Sequence, residues 1–191
     1  MKKASGLIVI TGPMFAGKTT RLLKEVQKAS KKGKPILFRS AIDNRYSTTE
    51  VVSHDGFKLP AVTLQSGEGC IPALKAAASE YDVIAIDEGH FWHDTKGFAQ
   101  ALDRIADSKV VYVAMLNKNA NGDPFEISKE LISLADRVCS LESRCSKCGG
   151  KAGFSQRIID GNAAYGDFPL VGGSNLYEAR CRKHFVRPPA P

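Results

Sequence analysis

Residues 7–23, LIVITGPMFAGKTTRLL, decide how the rest of the chain is read. The stretch opens on a short apolar run, which predicts a buried strand over residues 6–11. It closes on a predicted helix over residues 18–31, with Leu22, Leu23 and Val26 on one face and Gly33 ending it. Between them, Gly12, Pro13, Met14, Phe15, Ala16, Gly17, Lys18 and Thr19 satisfy G-x-x-x-x-G-K-[ST] at every fixed position. A strand before and a helix after is the context that motif requires. Such a loop turns backbone N–H groups and a helix N-terminus toward the phosphates of a nucleotide. Lys18 is expected to reach the β- and γ-phosphates, and the Thr19 hydroxyl to bind Mg²⁺.

A phosphate loop of this kind needs an acidic partner at the end of a neighbouring buried strand. The segment VIAIDEGHF, residues 83–91, supplies it: Asp87 ends a continuous apolar run and is expected in the Mg²⁺ shell. Glu88 follows and leaves the strand end in another direction. A carboxylate there can accept a proton from the attacking group.

Outward from these two segments, apolar runs at residues 35–40, 82–87, 109–116 and 137–141 alternate with helical patterns at 71–80, 97–106 and 127–135. Residues 51–64 read as a hairpin turning at His54-Asp55-Gly56, and 117–124 as a long polar loop. Alternation of this kind predicts an α/β fold, a P-loop NTPase-like parallel sheet with helices on both faces, over residues 1–143. Cys70 and Cys139 lie in apolar surroundings and read as small core residues. The composition then shifts to cysteines, glycines and short strand-like pieces, so residues 144–191 read as a small second domain with a disordered tail at 187–191.

That second segment carries CSKC (Cys145, Cys148) and CRKH (Cys181, His184), with 32 residues between the pairs. Three thiolates and one imidazole complete a tetrahedral zinc site with no open position, hence a structural one. A module with so little apolar content needs such a staple. The separation implies a loop held at both ends.

The chain has 191 residues, 43% hydrophobic and 25% charged, with no run of roughly 18 apolar residues of the kind a membrane span needs. No export signal is readable, so a cytoplasmic, thiol-keeping setting is expected. The net charge is +7, but the basic residues are scattered and an anionic nucleotide already accounts for them. Nucleic acid is therefore not an expected partner. On these residues three classes stay open: a DNA-stimulated P-loop ATPase with a zinc ribbon, a regulatory NTPase, and a small-molecule kinase whose zinc module covers the acceptor.

The ordered set GPMFAGKT, AIDNRYS, VVSHDG, IDEGHF, Pro124-Phe125, the two metal pairs and LVGGSNLYEARC resembles the thymidine kinases of the cellular type over nearly the whole chain. The resemblance implies transfer of the ATP γ-phosphoryl group to the 5′-hydroxyl of deoxythymidine, for nucleotide salvage, with Glu88 as general base. It places Asp43 and Arg45 near the phosphates and metal. It implies a lasso loop at about residues 160–176 that holds the base through Phe168, Pro169, Leu170, Val171 and Gly172, with Tyr177 near sugar or base. Met14, Phe91, Leu116 and Phe125 become apolar walls, and Ser155 lies near the base methyl. A homotetramer and inhibition by the triphosphate end product are also implied. The chain departs from the pattern at three places. His90 replaces the usual glutamine, and Trp92 a phenylalanine. Ala120, at a substrate-contacting position, replaces an aromatic that would pack on the base, a loss on the order of 1 kcal/mol.

Overall fold

The computed structural model describes residues 5–43, 49–53, 55–67, 69–92, 96–166 and 175–189. In chain order it contains β1 (Gly6–Thr11), α1 (Lys18–Ala29), β2 (Pro35–Ser40), β3 (Glu50–Val52), β4 (Lys58–Pro60), β5 (Val62–Leu64), α2 (Cys70–Glu80) and β6 (Val83–Ile86). A 3₁₀ turn over Gly89–Trp92 leads to α3 (Phe98–Ala106), β7 (Val110–Met115), α4 (Glu126–Leu134) and β8 (Arg137–Ser140). The C-terminal pieces are β9 (Ser143–Arg144), β10 (Lys151–Ala152), β11 (Phe154–Ile159), β12 (Asn162–Ala163) and β13 (Tyr177–Arg180).

Six strands form one parallel sheet in the order β5-β2-β6-β7-β1-β8. Their apolar runs are continuous because both faces are covered. Leu7, Val9, Ile84, Ile86, Val111, Val113 and Met115 face the cluster built by α2, α3 and α4. The alternate residues Ile10, Leu37, Ala85 and Ala114 face α1, where Leu22, Leu23 and Val26 cover them. On the three-helix side Trp92, fully buried, stacks on Phe98 with centroids 5.1 Å apart and planes 4° from parallel. Because every strand of the sheet runs the same way, the segments that leave β1, β2, β6, β7 and β8 all emerge along one edge. In open parallel sheets that edge is where ligands bind.

Two expectations change. The hairpin is shorter than residues 51–64: β3 and β4 pair antiparallel across residues 50–60, and β5 leaves them to pair in parallel with β2. Beyond Pro60, the outer edge of β2 offers unpaired backbone groups, and residues 62–64 satisfy them. The hairpin instead lays Val51, Phe57 and Leu59 over α1. Residues 117–124 are also more ordered than a polar loop. The Asn119 side-chain oxygen accepts the N–H groups of Asn121 (3.0 Å) and Asp123 (2.9 Å), and Lys118 bridges to Pro124. Cys70 is buried as expected, whereas Cys139, on the edge strand β8, is only half-buried.

Past β8, β9 pairs with β10 and β11 with β12 and β13, all antiparallel. Cys145, Ala152, Ala179 and Cys181 pack as a separate small cluster. No helix among the described residues is long and apolar enough to cross a membrane.

Candidate active site

The phosphate loop spans the gap between β1 and α1. Gly12 has φ 153° and Gly17 φ 78°, and a Cβ on Gly12 would lie 2.4 Å from the Leu141 carbonyl oxygen. Only glycine fits there. Phe15, between them, has φ 62°, a left-handed conformation that is costly for a residue with a side chain. No side chain caps the N-terminus of α1, which begins at Lys18. The buried Lys18 ammonium donates to the Pro13 carbonyl at 2.7 Å, so the charge is folded across the loop.

Thr19 and Asp87, 68 residues apart in the chain, meet at the sheet edge. The hydroxyl lies 3.3 and 3.2 Å from the two carboxylate oxygens. Burial pushes the Asp87 carboxyl up to about 7, and the charges of Glu88 and Asp43 push the same way, against the Glu88 backbone N–H and Thr19. A crowded set of carboxylate and hydroxyl oxygens suits a hard divalent cation such as Mg²⁺, whose charge would relieve the crowding.

Glu88 directly follows Asp87 and also adopts a left-handed backbone, φ 52°. This turns the chain sharply out of β6 into the 3₁₀ turn. Gly89 permits the turn to press on β7, since a Cβ there would meet Val113 Cγ1 at 2.5 Å. One Glu88 oxygen lies 3.5 Å from Nδ1 of the buried His90, and the same nitrogen accepts the Leu116 N–H at 3.3 Å. The His90 ring contacts Phe91 (4.3 Å between centroids) and Phe125 (5.1 Å). Three of the expected wall residues, Phe91, Leu116 and Phe125, are thus gathered around His90. Ser128 fixes the end of β7 by donating to the Leu116 carbonyl at 2.7 Å.

Ser155 arrives from β11, and its hydroxyl accepts the Met14 N–H at 2.9 Å. In the β11–β13 register Ser155 stands opposite Ala179 and Arg157 opposite Tyr177, so Ser155 and the buried Tyr177 share one face. Ala120 sits half-buried in the turn organised by Asn119. Arg45 and residues 168–172 lie outside the described residues.

The metal pairs converge. The donor atoms of Cys145, Cys148, Cys181 and His184 all lie within 4.8 Å of one another. Cys148 Sγ is 3.9 Å from Cys181 Sγ, and His184 Nδ1 is 3.3 Å from Cys181 Sγ and 3.7 Å from Cys145 Sγ. A tetrahedron with metal–sulfur bonds of about 2.3 Å has edges of roughly 3.8 Å, so the set fits a closed thiolate–imidazole metal site. Burial raises the Cys145 thiol, yet the N–H groups of Cys181, Lys147 and Cys148, together with the His184 ring, outweigh it and bring it to about 5. At neutral pH that sulfur is the thiolate a metal requires.

Sequence reasoning did not find the site roles of His90, Ser128 or Ser143, whose hydroxyl donates to the Phe15 carbonyl at 3.2 Å. His90 stood out only as a departure from the family pattern. The serines carry no motif and take their places from packing between remote elements.

A parallel sheet with a phosphate loop after β1 and an acidic pair after β6 defines a P-loop-type α/β protein. The comparisons narrow the class. A family model described as thymidine kinase matches residues 5–185. Thymidine kinase of Pyrobaculum aerophilum is 40% identical over 186 residues, covering 96% of this chain and all of the relative. Thymidine kinase of Thermococcus kodakarensis is 44% identical over 188 residues, covering 95% and 94%. That of Mycoplasma capricolum is 36% identical over 192 residues, covering 97% and 91%. The chain belongs to the thymidine kinase family.

Proposed function

We propose that the protein transfers the γ-phosphoryl group of ATP to the 5′-hydroxyl of deoxythymidine, giving dTMP and ADP. The observation that carries this reading is the position of Glu88. Its carboxylate stands one residue past the Thr19–Asp87 pair and faces the His90, Phe91, Leu116 and Phe125 group. That is where an acceptor hydroxyl would meet a donor phosphate.

In the proposed reaction, the amides of residues 12–19 and the Lys18 ammonium hold the triphosphate. Thr19 and Asp87 are the side chains that would hold Mg²⁺, which neutralises phosphate charge when bound. Asp43 and Arg45 flank the phosphates. Glu88 takes the proton of the 5′-hydroxyl as its oxygen bonds to the γ-phosphorus and the bond to the β–γ bridging oxygen breaks. Met14, Phe91, Leu116, Phe125, Ser155 and Tyr177 line the acceptor, with the lasso backbone at residues 168–172 on the pyrimidine edge. Cys145, Cys148, Cys181 and His184 would hold a structural zinc ion, so that residues 144–191 act as a separate acceptor-holding module. A cytoplasmic homotetramer serving nucleotide salvage completes the reading.

The test is phosphoryl transfer from Mg-ATP across a panel of nucleosides, with single-stranded DNA added in parallel. Monophosphate from deoxythymidine without DNA stimulation supports the reading. ATP hydrolysis that rises with DNA, with no nucleotide product, overturns it. Glu88→Gln is expected to bind both substrates while losing at least about 100-fold in kcat, the scale of general-base catalysis. A wild-type rate in that variant removes Glu88 from the chemistry.

A further inference from the structure

The phosphate loop is held from outside by two serines that belong to the C-terminal strands. Ser155 on β11 accepts the Met14 N–H at 2.9 Å, and Ser143 on β9 donates to the Phe15 carbonyl at 3.2 Å. The contacts span 141 and 128 residues of sequence. They flank Phe15, the loop residue in the left-handed conformation. A strained backbone persists only where its surroundings over-determine it. Just ahead of Ser143 the chain runs close against the loop, with the Leu141 N–H on the Thr11 carbonyl at 2.7 Å and the Leu141 carbonyl packed on Gly12.

We propose that Ser143 and Ser155 are positioning residues for the phosphate loop, so that the segment which receives the nucleoside also sets the shape of the ATP cradle. This rests on the reading that the loop holds the phosphates of ATP. Ser155 is buried and its bond to the half-buried Met14 is part-buried, and removing the hydroxyl takes this partner from the Met14 N–H. The Ser143 contact is exposed and weaker. Neither serine reaches the reacting atoms. Both act through the loop backbone, Ser155 on the Pro13–Met14 peptide and Ser143 on the Phe15–Ala16 peptide.

The experiment compares Ser143→Ala, Ser155→Ala and Ser155→Thr with the wild-type chain. Steady-state kinetics are combined with binding of Mg²⁺ and a non-hydrolysable ATP analogue, and with amide hydrogen exchange across residues 12–17 in the unliganded protein. Ser155→Ala is expected to raise both KM for ATP and Kd for the analogue about fivefold, the scale of one net hydrogen bond. Ser155→Thr, which keeps the hydroxyl, is expected to restore both. Ser143→Ala is expected to raise KM for ATP about twofold, with KM for the nucleoside unmoved. For Ser143, which lines no part of the acceptor, a merely structural role would move both KM values together or only the melting temperature. In both alanine variants exchange within residues 12–17 should quicken. Unchanged exchange together with unchanged ATP parameters overturns the proposal, even if only Ser143→Ala folds. If wild-type protein itself fails to bind the analogue, the ATP reading fails, and with it the proposal. Quickened exchange would then still record the two contacts, which separates the two failures.

Discussion

At the scale of single residues, the site is a set of groups held in forms they would not choose in water. Asp87 is the clearest. Its carboxyl is raised from an ordinary 3.8 to about 7, by burial first and by Glu88 and Asp43 next. The folded state therefore holds the proton more tightly than the unfolded one. The stability this contributes is fully present below about pH 4 and is lost as pH rises through about 7. In the metal-free protein the Asp87 contribution to stability is thus expected to fall between those values. Asp87→Asn should flatten that slope, melt higher than wild type at pH 8 and lose Mg²⁺-dependent turnover. Thermal melts at pH 5 and 8 with and without Mg²⁺ check this, and a variant that melts lower at pH 8 contradicts it. Asp87 and Glu88 were legible in the sequence because they end an apolar strand beside a complete loop motif. The His90 contact was not, because a buried histidine's partners depend on where β7 and α4 bring Leu116 and Phe125.

At the scale of elements, strand parity is the organising fact. Each central strand feeds alternate residues to two clusters, so a continuous apolar run meant burial on both faces. α3 shows the complementary pattern, burying Phe98, Ala99, Ala101, Leu102, Ile105 and Ala106 at helical spacing. Leu102 is fully buried, and Leu102→Ala is expected to cost about 3 kcal/mol, read as a lower denaturant midpoint with an unchanged slope. A loss below about 1 kcal/mol would mean the three-helix cluster collapses around the gap. The strands and helices of the main sheet were readable to within a residue or two. The fate of residues 62–64 was not, because three residues carry too little pattern to distinguish a hairpin arm from a strand that completes another sheet's edge. The order in residues 117–124 was missed for a similar reason: one asparagine oxygen organises it.

For the whole molecule, the C-terminal strands bury few apolar side chains of their own, chiefly Phe154, stacked on Phe185, and Tyr177, apart from the cluster around the metal ligands. Their hydrophobic cluster is Cys145, Ala152 and Ala179, with Cys181 against it. A metal held by the Cys145, Cys148, Cys181 and His184 cluster would add to the stability of this segment. Chelation at neutral pH is expected to expose Cys145, Cys148 and Cys181 to a thiol reagent while Cys70, in the main core, stays protected until global unfolding. Thiol titration before and after chelator, alongside proteolysis between β9 and β13, reads this directly. Equal reactivity in both states would rule out a thiolate-bound metal. The ligand spacing made this cluster legible from sequence, whereas the two serine contacts to the phosphate loop carry no such spacing. One further feature makes the molecule observable. The chain has a single tryptophan, and it is Trp92, sealed in the three-helix cluster and stacked on Phe98 at the end of the turn that Glu88 begins. Its emission should be that of a dry indole, and a red shift on denaturation would time the opening of that one face of the sheet. The α1 face and the metal-ligand segment contribute no indole light at all, so any unfolding confined to them passes unseen by this probe.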